Sequence, residues 1–515
     1  MRKLGVLLVF GSLGLMMACG GGSSSSGGGG NTSTITSVTA SCSPSTIQSG
    51  QTSQCSASVT GTGSFSSAVT WTASAGTITS SGLFTAQTVS STTTVTVTAS
   101  STQDATKSGT ATIMVTPVQA ANNVQPIVVD SGPAPQSFVT VNEAFVTVTV
   151  CVPGSTTECQ AIDHVLVDTG SFGLRLLSSA GGGELNPSLL PNEPDSKGNP
   201  LYECLVFLDG FVWGNVATAD ITMAGEKASS APVQVIIPSS SPAVPNSCSS
   251  KTTGPNEGNS LKALGANGVL GVGLLQRDCG PACTTQPPPD AAYYDCSSSP
   301  CTATTATLPQ QVTNPVFLFA TDNNGVLIQL PAVPNGGSLN VPGSLIFGIG
   351  TQSNNGLGSA NVYVVPDSGN NFLSIIATFN GTSYPQSFID SGSNGIFFLN
   401  SSINGVPATC SGQNSSWYCP TTSLDNLTAT NQGQNAQGGG VGSAVPVNFA
   451  IENANNLFSN NGTDTAFSTL GGPSCSSGGS GCDFDWGLAF FFGRNVFTAI
   501  DNMNTPAGLG PYYAY

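Results

Sequence analysis

Two stretches of this chain read alike: Val165-Leu166-Val167-Asp168-Thr169-Gly170-Ser171, followed by Gly173-Leu174, and Ser387-Phe388-Ile389-Asp390-Ser391-Gly392-Ser393, followed by Gly395-Ile396-Phe397. Each is an apolar strand, an aspartate, a hydroxyl residue, a glycine, a second hydroxyl and a further apolar strand. A buried strand delivers the carboxylate, the glycine lets the loop turn closely, and the hydroxyls can hydrogen-bond a carboxylate or a facing loop. The Asp-Ser/Thr-Gly tripeptide alone says little, because it occurs four times in a chain with 63 glycines. Asp130 precedes Pro133 and Asp367 precedes Gly369-Asn370-Asn371, and neither leads into an apolar strand.

Outward from these loops the pattern continues. Asn142-Glu143-Ala144-Phe145-Val146-Thr147-Val148-Thr149-Val150 precedes Asp168 as a hairpin arm that Cys151 and Cys159 can close. Ala266-Asn267-Gly268-Val269-Leu270-Gly271-Val272-Gly273 follows it. The second half holds Gly343-Ser344-Leu345-Ile346-Phe347-Gly348, then Phe491-Phe492-Gly493-Arg494-Asn495-Val496-Phe497-Thr498-Ala499-Ile500-Asp501 and Gly508-Leu509-Gly510-Pro511. In this order the segments resemble the pepsin family of aspartic peptidases over residues 123–515.

The resemblance implies an all-β, bilobal double β-barrel, with an N-lobe at 123–335 and a C-lobe at 336–515. It implies catalytic Asp168 and Asp390 in one shared site. Thr169 and Ser391 would brace the opposing loops, Gly170 and Gly392 form their turns, and Ser171 and Ser393 orient the carboxylates. Gly271 and Gly493 would let a threading strand approach behind each loop. No cofactor is implied. Taken singly, these small residues read equally as ordinary turn chemistry. One departure concerns the flap, which in that family carries Tyr then Gly. Here the matching stretch is Leu205-Val206-Phe207-Leu208-Asp209-Gly210-Phe211-Val212-Trp213-Gly214, so Phe207, Phe211 and Trp213 are the candidates to cover the cleft, or else packing residues of a hairpin.

The N-terminal part reads differently. Arg2 and Lys3, the apolar run Leu4 to Met17 and Ala18-Cys19 form a secretory leader (1–18) that resembles a bacterial lipoprotein signal, with Cys19 as the lipidated residue. Gly20 stands where an Asp would favour inner-membrane retention, so the expected location is the cell envelope, as an outer-membrane lipoprotein or at the cell surface. Residues 19–34, nearly all Gly, Ser, Thr and Asn, read as a flexible tether. From 35 to 117 period-two runs such as Thr93-Thr94-Val95-Thr96-Val97-Thr98 argue a β-sandwich. There Val69-Thr70-Trp71, Gly76-Thr77-Ile78 and Gly82-Leu83-Phe84-Thr85-Ala86 resemble the bacterial immunoglobulin-like domain, group 2, a spacer or adhesive module. The whole chain resembles uncharacterised bacterial lipoproteins in which such a module precedes a pepsin-like region.

The formal net charge of −16 becomes −18 once a leader carrying Arg2 and Lys3 is removed, which argues against nucleic-acid partners. Cys19 apart, 14 of the 15 cysteines remain, and an exported chain with an even number implies disulfides. Their short spacings suggest the pairs Cys42–Cys55, Cys151–Cys159, Cys204–Cys248, Cys279–Cys283, Cys296–Cys301, Cys410–Cys419 and Cys475–Cys482. His164 is the sole histidine, which leaves no zinc motif and no Ser-His-Asp or Cys-His scheme; beside Asp168 it reads as a strand-surface residue. The expected protein is a monomeric, membrane-tethered aspartic endopeptidase acting on peptides or proteins. The alternative is a catalytically idle pepsin-like fold that binds a peptide, a glycan or a surface.

Overall fold

A computed structural model of the protein describes residues 33–89, 92–116, 122–133, 140–179, 183–207, 210–237, 242–250, 258–285, 292–368, 372–422, 424–460, 462–475 and 482–515. The leader, Cys19 and most of the tether lie outside the described residues, as do Leu208 and Asp209. Strands make up nearly all the regular structure, and the longest described helix is Ala454–Asn460. The chain divides into two units, Met1–Ala120 and Ala121–Tyr515.

The first unit is a β-sandwich. Alternation turns Val95, Val97, Ala99 and Ser101 of Thr93–Ser101 inward while the residues between them face outward. One sheet pairs Thr34–Ser43, Thr52–Thr62, Leu83–Thr85 and Thr77–Ile78 in that order; the other pairs Thr46–Gln48, Ser108–Thr116, Thr93–Ser101 and Val69–Ala73. Phe84, Ile47, Ile113 and Val115 fill the interior, and half-buried Trp71 packs against both of its apolar clusters. Cys42 and Cys55 face each other on the first two long strands and are bonded.

The second unit starts with Val124–Val129, which pairs on one side with Ala144–Cys151 and on the other with Val341–Phe347. That strand therefore belongs to both lobes. To one side the sheet continues through Cys159–Asp168, Gly268–Val272, Phe172–Leu177, Glu226–Ile236, Phe211–Met223 and Leu201–Val206. Phe211–Met223 pairs back onto Ala144–Cys151 and closes the N-lobe barrel. To the other side it runs through Gly325–Gln329, Asn495–Ala499 and Tyr512–Ala514. Because Gly325–Gln329 is flanked on both sides by C-lobe strands, the chain crosses between lobes before Gly325, ahead of the division expected after residue 335.

The C-lobe has its own seven-stranded sheet, in the order Gly440–Glu452, Leu424–Gln434, Ile375–Phe379, Thr382–Ile389, Phe484–Trp486, Ile396–Phe398, Gly471–Gly472. One apolar cluster runs through both lobes, from Val148, Val167 and Leu270 to Ile389, Phe398 and Trp486. Each such buried side chain contributes about 1.5–3 kcal/mol relative to exposure. The arrangement is all-β, with a sandwich ahead of a bilobal, pepsin-like double barrel. All seven disulfides form in the pairs that the spacings suggest.

Candidate active site

The strands Cys159–Asp168 and Thr382–Ile389 carry their aspartates to the joint between the lobes. Behind the first, Gly268–Val272 runs parallel to it, with Asp168 opposite Gly271, and antiparallel to Phe172–Leu177. Behind the second, Phe484–Trp486 runs parallel, with Ile389 opposite Trp486, and antiparallel to Ile396–Phe398. Each loop thus leaves one neighbour of a threading strand and returns as the other. The threading strand must come close, and only a residue without Cβ fits. A Cβ on Gly271 would lie 2.5 Å from the Phe172 nitrogen, and one on Gly487 would lie 2.5 Å from the Ser393 carbonyl oxygen.

Across the joint the loops hold each other. The Thr169 N–H donates to Ser391 Oγ at 3.1 Å and the Ser391 N–H to Thr169 Oγ1 at 2.9 Å. Thr169 Oγ1 donates to the Ile389 carbonyl at 3.2 Å, and Ser391 Oγ to the Val167 carbonyl at 2.7 Å. All of these groups are buried, so each bond satisfies polar atoms that water does not reach. The carboxyl groups of Asp168 and Asp390 then converge closely enough to interact. A Cβ on Gly170 would stand 2.7 Å from Asp390 Cγ, and one on Gly392 would stand 2.6 Å from Asp168 Oδ1.

Donors surround the pair. Asp168 accepts from the Gly170 N–H at 2.7 Å and from Ser171 Oγ at 2.5 Å; Asp390 accepts from the Gly392 N–H at 2.8 Å and from Ser393 Oγ at 3.1 Å. The aspartates are 5% and 9% exposed, yet Gly170 is exposed and Gly392 and Ser393 are half-buried, so the pair lies at the floor of an opening. Burial, then the neighbouring Asp168 charge, then Asp485, push the Asp390 carboxyl well above the usual range. Two carboxyls this close cannot both ionise cheaply, which favours the protonated form of Asp390.

Other expected residues fall elsewhere. Gly493 does not line a threading strand: it sits in the turn after the short helix Leu488–Phe491, with φ of +76° and its N–H donating to the Leu330 carbonyl at 3.0 Å. Gly487 occupies the position that matches Gly271. Phe211 and Trp213 do not cover the opening either. They are buried with Cys204, Cys248, Tyr294 and Cys301, where Trp213 stacks on Tyr202 and meets the edge of Tyr294. Half-buried Phe207 packs against Leu177, Val212 and Ile236. Of the other two Asp-Ser-Gly sites, Asp367 is exposed and Asp130 holds His164 Nε2 at 3.2 Å, while Asp163 holds His164 Nδ1 at 2.9 Å.

Three features around the loops were missed in the sequence. Tyr513 is buried on the last strand, close enough to the Ile389 backbone and to Asp390 to interact with both. Arg175, behind the Asp168 loop, is wholly buried and donates to the Phe172 carbonyl at 2.7 Å, to Glu203 at 2.7 Å and to Asp278 at 3.2 Å. Asp485, in the C-lobe threading strand, is a third buried carboxyl. The signal for Arg175 and Asp485 is a charge within an apolar run, Leu174-Arg175-Leu176 or Phe484-Asp485-Trp486, in a chain only 7% charged. Burial of such a charge demands a partner or a change of protonation.

A family model described as "Protein of unknown function (DUF3443)" matches residues 119–515, the whole of the bilobal unit. The chain belongs to the DUF3443 family. Among curated proteins, none matches it. Among solved structures this DUF3443 chain is similar to the aspartic proteinase from Irpex lacteus, with 16% sequence identity, 76% of this chain and 96% of that one covered, and a TM-score of 0.40.

Proposed function

We propose that the bilobal unit is an aspartic endopeptidase. The observation that supports this reading is the bracing of the two loops against each other, which brings Asp168 and Asp390 close together. A water between the carboxylates gives a proton to Asp168 as its oxygen attacks the peptide carbonyl carbon. Asp390, which holds a proton, donates to the developing oxyanion. Collapse of the tetrahedral intermediate breaks the C–N bond, and the leaving nitrogen takes up a proton from the pair. No cofactor takes part. The substrate is a peptide or protein, and the negative charge disfavours nucleic acid.

The remaining expectations belong to the same proposal. The N-terminal sandwich is an immunoglobulin-like spacer. Cys19 is the lipid-bearing residue of a lipoprotein of the outer membrane or cell surface, and the protein acts as a monomer. The seven disulfides support a place outside the cytoplasm.

A second reading, an idle fold that binds a peptide, glycan or surface partner, draws on the flap, whose aromatic residues Phe211 and Trp213 pack away from the opening. Incubation of the purified chain with casein between about pH 3 and pH 7 separates the two. Cleavage that pepstatin or Asp168→Asn abolishes supports the peptidase. No cleavage, together with ligand binding that Asp390→Asn leaves intact, supports the binder.

A further inference from the structure

The chemistry above uses two carboxyls and leaves the third, Asp485, without a task. It is 6% exposed in the middle of Phe484–Trp486. Its register neighbours are Phe388, two residues before Asp390, and Phe397 on the other side. The matching N-lobe position, opposite Leu166 and two residues before Asp168, is Val269, at 2% exposure. The C-lobe thus carries a carboxyl where the N-lobe carries an apolar side chain.

Asp485 Oδ1 has no hydrogen-bond partner among the described residues. The Ser393 loop lies against the strand end just beyond Asp485, with the Leu488 N–H donating to the Ser393 carbonyl at 2.6 Å, and the Ser393 hydroxyl, close enough to Asp485 to influence its carboxyl, donates to Asp390 Oδ2 at 3.1 Å. Facing Asp485 are Asp390 at the end of Thr382–Ile389, Asp168 from the N-lobe loop and Tyr513 from the last strand, with apolar Phe397 on the remaining side. None of these groups is a cation. Burial, with the Asp168 charge adding to it and the Ser393 hydroxyl opposing it, pushes the Asp485 carboxyl up to about 8.

Ser393 has one hydroxyl proton and two carboxyl neighbours. Were Asp485 ionised, both carboxylates would compete for that proton. When Asp485 is protonated, its O–H donates to Ser393 Oγ, and the serine proton can go only to Asp390. We propose that Asp485 is a positioning residue which, as a neutral acid, turns the Ser393 hydroxyl toward Asp390, an orientation that one lobe alone receives. Ionisation of Asp485 removes that bond from Asp390 and adds a negative charge nearby. Both changes make Asp390 hold its proton more tightly.

Two measurements on the full chain test this, with Asp485→Asn as the variant, because its amide donates to Ser393 at every pH and never ionises. The first is denaturant unfolding. Between about pH 5 and pH 8 the wild-type unfolding constant should rise about tenfold per pH unit relative to Asp485→Asn. Parallel curves would overturn the proposal. The second is a carbon-13 titration of the Asp390 carboxyl, assigned through Asp390→Asn. Wild type should show an added inflection as Asp485 ionises, lost in Asp485→Asn and clearly reduced in Ser393→Ala. An inflection of equal size in Ser393→Ala would leave only direct repulsion and would overturn the relay through serine.

The inference rests on Asp390 belonging to the paired site, not on turnover. A chain that cleaves nothing yet gives both signatures would sink the peptidase reading alone. Cleavage with parallel unfolding curves would sink this one alone.

Discussion

Thr169 and Ser391 donate their backbone N–H groups to each other's hydroxyls, at 3.1 and 2.9 Å, from opposite lobes. Ser391 also donates to the Val167 carbonyl, and it is wholly buried. Ser391→Ala therefore strands one N–H and one carbonyl, at a cost of about 2–5 kcal/mol in urea unfolding. Thr169→Ser keeps the hydroxyl and should lose less than about 1 kcal/mol.

Asp168→Asn should lower casein cleavage by at least about a thousandfold, since it removes the base. It also removes one of two adjoining acids, so the melting temperature should hold or rise. A fall in both would point to a folding defect instead.

Gly487→Ala and Gly493→Ala discriminate between the two candidate threading glycines. The first puts a methyl against the Ser393 backbone and should cost about 3 kcal/mol or more. The second meets only the positive-φ penalty, about 1–2 kcal/mol, because the nearest atom to its Cβ is the Ala332 methyl at 3.2 Å. Equal losses in denaturant titration would contradict the assignment.

Arg175→Met leaves Glu203 and Asp278 buried together without their guanidinium and should cost about 3–5 kcal/mol. Burial, then Glu203, already raises Asp278 well above the carboxylate range. An acid raised in the folded state stabilises most at low pH, and that contribution is lost as pH climbs toward its folded value. Asp278→Asn should accordingly flatten part of the decline in stability above about pH 4.

His164 behaves in the opposite sense. Its bond to Asp130, together with Asp163, raises it against the effect of burial. A raised histidine contributes fully below about pH 6.5 and loses its contribution as pH rises through the folded value. The melting-point gap between wild type and His164→Gln should be wide at about pH 5 and nearly closed at about pH 9.

The pairing of the Asp168 and Asp390 loops was legible because each loop spells its own surroundings, apolar strand before and after. The disulfides were legible because their partners lie close in sequence. Gly493 misled because Phe491-Phe492-Gly493 copies the apolar-apolar-glycine pattern, whereas the true strand, Asp485-Trp486-Gly487, breaks it with a charge. The flap aromatics stayed open between covering the cleft and packing because alternation tells which residues share a face but not which face is covered. Here Cys204–Cys248 and Cys296–Cys301 build a small core outside the hairpin, and Phe211 and Trp213 fill it. The joint sheet was hidden because pairing between Val124–Val129 and Val341–Phe347 links residues more than two hundred positions apart, beyond the reach of any local pattern.

The seven disulfides span at most 44 residues of sequence, and none ties one lobe to the other. Each thiol meets its mate within one short stretch, so oxidation can proceed from front to back without waiting for the tail. The halves are held instead by their common strand and braced loops, so reductant would loosen individual hairpins before it parted the halves.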